Sequence, residues 1–152
     1  IIILISLCSN AFSAGTTSTS EISINKDDQI KKLYVLAEKH IYNKDFDKSL
    51  KLLKKLTKRE DLGTKRADIY NLLGFSYRKI DISNLDKSFA AYMMALELDS
   101  KHVGAHAYLG ELYLMKNQKD KALYMLIELE KLVGINADEY KDLKNAIENY
   151  KS

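Results

Sequence analysis

The chain has 152 residues, of which 46% are hydrophobic and 30% charged, a composition that fits a folded globular protein and excludes a disordered one. It contains six glycines and no proline, whereas an all-β protein or a nucleotide-binding loop would use more turn residues, so the composition favours helices. The net charge of +3 is too close to balance to imply a nucleic-acid partner.

The first fifteen residues differ from the rest. An apolar run from Ile1 to Cys8 leads into small residues up to Gly15. This pattern is typical of the end of a secretory signal peptide, with cleavage after Ser13. The run is too short to span a bilayer comfortably. No initiator Met or basic segment precedes it, so we expect residues 1–15 to be a signal peptide truncated at its start, and a longer, retained membrane anchor is the alternative.

Cys8, the single cysteine, lies within this segment. A lipoprotein signal needs a small residue before the cysteine, and Leu7 is large. Removal of the segment would leave no thiol, which excludes disulfides, cysteine catalysis and thiolate metal sites. Residues 16–29 are polar and lack helical periodicity, so we expect a flexible linker there.

Residues 30–135 contain an internal repeat. Three segments share a large residue, a small residue and a ring side chain: Leu36-Ala37-x-x-His40, Leu73-Gly74-x-x-Tyr77 and Leu109-Gly110-x-x-Tyr113. They follow one another at 37 and 36 residues. The spacing predicts three repeats, at 30–63, 67–101 and 103–135.

Each repeat also has a small residue followed by an apolar one four positions later: Ser49 with Leu53, Ser88 with Tyr92 and Ala122 with Leu126. Small residues on facing helices allow two antiparallel helices to approach, with Leu36, Leu73 and Leu109 filling the space between them. One pair cannot bury its apolar face alone. We therefore predict an all-α fold, an α-solenoid of three stacked helix pairs.

A further helix is expected at 136–152. Gly134 is a helix-stop residue, and the segment from Asn136 to Glu139 has the pattern of a capping box. Its apolar stripe consists of Tyr140, Leu143, Ile147 and Tyr150. One apolar face predicts a C-terminal capping helix; a free partner-binding helix is the alternative. Asp45 and Asn84 are expected to cap the second helices of repeats one and two.

These repeats resemble the tetratricopeptide-repeat (TPR) family over residues 30–134. The third repeat matches best, through Ala107 to Tyr113 with Ala122, and the second almost as well. In the first, His40 replaces the usual Tyr, and all three lack the family's junction proline. The chain is also similar in shape to short TPR proteins exported to the bacterial periplasm.

The resemblance implies a concave groove lined by the first helix of each repeat. The positions carried over to this chain are Tyr34, Glu38, Tyr42, Asn71, Phe75, Arg78, Tyr108 and Glu111. An Asn at the position of Asn71 occurs in relatives that grip chaperone C-termini, but Tyr34 and Glu38 replace the other clamp residues, so that ligand is not expected. Aromatic side chains on a rigid face suit an extended or helical peptide. The alternative is that these aromatics only pack between repeats.

No catalytic, cofactor or metal site is expected. His102 and His106 have metal-ligand spacing, but no third ligand accompanies them, and His106 and His40 occupy packing positions. Phosphate-binding and nucleophile-elbow motifs are absent from the sequence.

A basic face is expected on the second helix of the first repeat. Its members are Lys48, Lys51, Lys54, Lys55, Lys58 and Arg59. Solvation is the ordinary role of such a face; contact with anionic lipid or an acidic partner is the alternative.

The sequence thus predicts a non-enzymatic adaptor or scaffold that binds a peptide or partner protein in the groove, in the bacterial periplasm. The alternative is a membrane-anchored protein that displays the repeats at a membrane surface, with contact through residues 1–8 or the basic face. Neither a nucleic acid nor a small-molecule substrate is expected.

Overall fold

A computed structural model describes the backbone of residues 18–151 and the side chains of residues 26–151. The predicted signal peptide and Cys8 lie outside this range. The described part contains seven α-helices and no strand. They are α1 (Ser18–Tyr42), α2 (Phe46–Thr57), α3 (Lys65–Ile80), α4 (Leu85–Leu98), α5 (Val103–Met115), α6 (Lys119–Val133) and α7 (Asp138–Glu148). None of the described helices is long and apolar enough to span a membrane.

The helices form three sequential pairs, α1 with α2, α3 with α4 and α5 with α6. Each second helix also packs on the next first helix, so that α2 lies against α3, α4 against α5, and α6 against α7. Short connections between neighbours make the pairs antiparallel. The predicted solenoid of three helix pairs with a C-terminal capping helix is confirmed.

Small residues close the helix pairs. Ser49, Ser88 and Ala122 are fully buried. The Ser88 hydroxyl donates to the backbone carbonyl of Gly74 over 2.8 Å, and a Cβ on Gly74 would lie 2.7 Å from the Tyr92 ring. The Gly74 position therefore admits no side chain without displacing a buried aromatic ring.

Gly110 makes a different contact from the one expected. A Cβ at this position would lie 2.5 Å from a methyl carbon of Leu143, which belongs to α7. The atoms nearest to this position thus belong to the capping helix, which packs on α5 as well as on α6.

Two expectations about the N-terminal part of the chain were wrong. Leu36 does not fill the space between helices but is 42% exposed, because no helix of the described part precedes α1. Within the predicted linker 16–29, residues 18–29 are helical, as α1 begins at Ser18. Neither Pro nor Gly interrupts residues 16–42, so a helix nucleated by the packed second half can extend toward the N terminus.

The helix ends were predicted in part. Gly134, at φ 77°, ends α6 as expected. Asp45 and Asn84 occupy N-cap positions, but neither side chain bonds to the helix backbone. Asp45 pairs with Lys48 instead, at 3.2 Å. The N-cap of α7 is Ala137, which has no side-chain acceptor, so the expected capping box does not form.

Residues 30–152 are expected to fold as an independent helical unit. Every buried side chain of the described part, from Ile30 to Ile147, lies within this range. Circular dichroism of the isolated segment checks this: a helical spectrum with cooperative melting is predicted, and a coil or strand spectrum would contradict it.

Removal of residues 136–152 is expected to lower solubility and stability. Leu143 and Ile147 are buried in the core cluster shared by α5, α6 and α7, and each such side chain contributes about 1.5–3 kcal/mol. Sedimentation and thermal melting of the truncated chain provide the measurement. A truncated protein that is monomeric and equally stable would show that α7 is not a cap.

Candidate functional site

An aromatic cluster forms where α3 meets α5. The rings of Phe75 and Tyr108 lie 5.0 Å apart, and Phe46 from α2 approaches Phe75 at 6.2 Å. Tyr92 of α4 lies 6.1 Å from Tyr108. Such pairs add about 0.5–1.5 kcal/mol each beyond the area they bury. Phe75 and Tyr108 therefore contribute to packing between repeats while they remain partly exposed.

Arg78 joins this cluster to an acidic group. Its guanidinium lies 5.7 Å from the Phe75 ring and 5.4 Å from the Tyr108 ring, within cation–π range. It donates to a Glu111 carboxylate oxygen at 2.5 Å, with only 4% of its side chain exposed. Burial, and secondarily the Glu111 charge, raise the pKa of Tyr108. Arg78 thus connects the other three predicted groove residues of this cluster, Phe75, Tyr108 and Glu111.

A cleft of about 410 Å³ adjoins this ion pair. Its lining comes from the first helices α3 and α5, from α7 and from Tyr150 just beyond the end of α7: Arg78, Lys79, Glu111, Leu114, Met115, Ala146 and Tyr150. We call it the α3–α5–α7 cleft. Its walls are apolar, and its charges are one carboxylate and two cations. The Tyr150 hydroxyl donates to Asn117 over 2.7 Å, which fixes the end of α7 beside α5.

Five lining residues were not among the predicted site residues: Lys79, Leu114, Met115, Ala146 and Tyr150. Tyr150 carried a usable signal, since it belongs to the apolar stripe of the predicted capping helix. Ala146 enters the lining through the packing of α7, while Lys79, Leu114 and Met115 lie at the C-terminal ends of α3 and α5.

The remaining four predicted residues lie elsewhere. Asn71 is buried against Gly104 of α5, and its carbonyl oxygen has no hydrogen-bond partner among the described residues. Burial, and then the charge of Glu38, raise the pKa of Tyr34. Tyr42 is 87% exposed at the end of α1. The structure therefore does not join these four to the cleft.

The two histidines of repeat three have structural contacts. The His102 Nδ1 accepts from the Ala105 backbone N–H, which caps α5, and its Nε2 lies 3.1 Å from Asp68. His106 is buried, with Nε2 3.0 Å from the Ser100 carbonyl. Across the described side chains, no group of three or more metal-ligating residues comes together.

The basic face of α2 is largely solvated. Lys51, Lys55 and Lys58 are exposed, while Lys54 lies 5.3 Å from the Tyr77 ring. Arg59 pairs with Asp61 at 2.7 Å, and this pairing lowers the pKa of the carboxyl group to about 2. The exposed lysines have no contact with the α3–α5–α7 cleft.

Comparison with known proteins finds no matching family model and no curated relative. Solved structures do match. The type III secretion chaperone SycD of Yersinia enterocolitica, in complex with a peptide of the translocator YopD, superimposes with a TM-score of 0.65 at 20% identity, over 81% of this chain and 89% of that one. PcrH of Pseudomonas aeruginosa gives 0.68 at 14% identity, over 93% and 99%.

MamA gives a TM-score of 0.64 at 19% identity, over 86% of this chain and 79% of that one. At these identities the likeness concerns the fold. The packing order of the three helix pairs and the repeat spacing of 37 and 36 residues are consistent with this fold. The chain therefore has the all-helical fold of the tetratricopeptide-repeat type.

Proposed function

We propose that this protein is a non-enzymatic adaptor that binds a segment of a partner protein in the α3–α5–α7 cleft. One observation carries the proposal: the first helices and α7 together form an apolar cleft whose floor is the Arg78–Glu111 pair. Curved helical solenoids use the face formed by their first helices for extended ligands. The SycD structure, which holds a YopD peptide on a similar fold, supports this choice.

The cleft chemistry favours a peptide with an apolar anchor. Leu114, Met115 and Tyr150 offer surface to an aliphatic or aromatic side chain. Methionine adapts to irregular partners. Glu111 remains one-third exposed and can accept from a cation or a backbone N–H of the peptide, while Lys79 can pair with a carboxylate. The buried Arg78 holds Glu111 in place, because a charged hydrogen bond at this distance fixes both groups.

Binding to a partner tests the proposal. The full chain is used as bait, the recovered partner is purified, and its affinity is titrated against wild type and Met115→Arg. An arginine in the cleft wall is expected to weaken binding at least tenfold. Met94→Arg is the matched control, since Met94 is similarly exposed but lies on α4. Equal affinity of wild type and Met115→Arg would remove the cleft from the function.

We also propose that the protein acts after export, in the bacterial periplasm. The apolar run of residues 1–8 followed by small residues supports this, as in signal peptides. N-terminal sequencing of the mature protein is the test. A first residue at Ala14 is expected. A mature protein that keeps residues 1–15 and is found in the membrane fraction would favour the alternative, in which the repeats are displayed at a membrane surface.

A further inference from the structure

The outer face of α1 exposes large apolar side chains among lysines. Val35 is 53% exposed and Leu36 42%. They line a shallow depression of about 450 Å³ together with Asp28, Lys31, Lys32 and Lys39. We call this surface the α1 patch. It faces away from Ile30 and Ala37, which are buried in the core.

The same positions are covered in the other two repeats. Leu36 aligns with Leu73 and Leu109, Lys32 with Ile69 and Ala105, and Lys39 with Ser76 and Leu112. All six equivalents are buried, whereas the three residues of α1 are exposed. The α1 patch is thus the one copy of a recurring packing surface that no described helix covers.

In each covered case the occupant is a helix. The Ser76 and Ser49 hydroxyl oxygens lie 3.5 Å apart, which places this face of α3 against α2. Leu73 shares a core cluster with Leu53 and Leu56 of α2. On α5, Leu109 lines a cleft together with Met93 and Leu96 of α4. The geometry of the repeat therefore fits an amphipathic helix laid on α1.

Charge defines which helix would fit. Lys32 and Lys39 flank Leu36 along the patch, where the covered repeats carry uncharged residues. Residues 26–59 contain eleven Lys and Arg against five Asp and Glu. A second copy in a two-fold contact would bring the same lysine-rich surface against itself, and like charges repel. The charge of the α1 patch therefore disfavours contact with a second copy and favours a partner that carries carboxylates.

We propose that the α1 patch is a docking surface for an acidic amphipathic helix of a partner protein. Its apolar stripe would cover Val35 and Leu36, and carboxylates beside the stripe would pair with Lys32 and Lys39. Lys32 already pairs with Asp28 at 2.6 Å on an exposed surface, a contact worth little that an incoming carboxylate can replace. This surface is separate from the α3–α5–α7 cleft and does not depend on it.

Two synthetic peptides of sixteen residues test the proposal. Both carry leucines at i, i+3, i+4 and i+7 of a helix, flanked by glutamates in one and by lysines in the other. Fluorescence anisotropy with the full chain measures their affinities. The glutamate peptide is expected to bind at least tenfold more tightly at low salt, with the difference shrinking as salt is added.

Substitutions locate the contact. Leu36→Glu is expected to weaken the glutamate peptide at least tenfold, whereas Leu98→Glu, at a similarly exposed position of α4, leaves it unchanged. Replacing Lys32 and Lys39 together by Glu should reverse the preference between the peptides. Circular dichroism of each variant verifies that the fold is retained.

Other outcomes overturn the proposal. Failure of the glutamate peptide to bind means that the patch is not accessible to such a helix. Binding that survives Leu36→Glu but is lost in Met115→Arg assigns the peptide to the α3–α5–α7 cleft, which leaves the proposed function intact. Self-association that Leu36→Glu abolishes, seen by sedimentation, assigns the patch to a second copy.

Discussion

Gly110→Leu is expected to lower the melting temperature sharply. A Cβ alone would lie 2.5 and 2.8 Å from the two methyl carbons of Leu143, a side chain only 1% exposed. Overpacking of this kind costs about 1–3 kcal/mol, and a whole leucine must also displace α7 from α5. Each kcal/mol corresponds to a shift of roughly 2–8 °C for domains of this size.

A compensating variant separates this contact from a general defect. Leu143→Ala removes the atoms that the new side chain would meet, so the double variant Gly110→Leu/Leu143→Ala is expected to melt above Gly110→Leu alone. Thermal denaturation followed by circular dichroism measures both. Wild-type melting of Gly110→Leu would mean that α7 does not pack on Gly110.

Phe75→Ala is expected to weaken partner binding by about 2 kcal/mol, roughly thirtyfold, because truncation at a hot spot also costs the reorganisation of the groups around it. Phe75 packs on Tyr108 and lies under the guanidinium of Arg78, whose partner Glu111 lines the α3–α5–α7 cleft. Loss of the ring would release Arg78 and alter the cleft floor. Titration of the purified partner gives the affinity.

The basic face of α2 provides the contrast. Replacing Lys51, Lys55 and Lys58 together by Gln should change mainly the salt dependence and the association rate. Melting curves of both variants are needed, since Phe75 also packs between repeats. If the lysine variant loses binding and Phe75→Ala retains it, the function lies in surface charge and not in the cleft.

The repeat spacing was enough to predict the helix pairs. Small residues at Gly74 and Ser88 recur at fixed offsets because two helices can approach only there, and this constraint appears directly in the sequence. Exposure was harder to predict. Leu36 has the same residue type as Leu73 and Leu109, but its burial depends on a preceding helix, which no property of Leu36 itself reports.

The candidate site was predicted in part for a related reason. Phe75, Arg78, Tyr108 and Glu111 come together because they occupy equivalent faces of adjacent first helices, which repeat geometry fixes. Asn71 lies on α3 four residues before Phe75, about one helical turn away, but Gly104 lets α5 approach closely enough to bury it. Ala146 and Tyr150 enter the cleft only through the packing of α7, a tertiary contact that no local pattern specifies.

Site-specific photo-crosslinking tests the central claim most directly. A benzoylphenylalanine is placed at Met115 in the cleft wall or at Lys51 on the exposed face of α2, and each full-length variant is irradiated with the purified partner. Crosslinks from position 115, mapped by mass spectrometry to one continuous partner segment, are predicted, with none from position 51. Crosslinks from position 51 in the absence of any from position 115 would contradict binding in the α3–α5–α7 cleft.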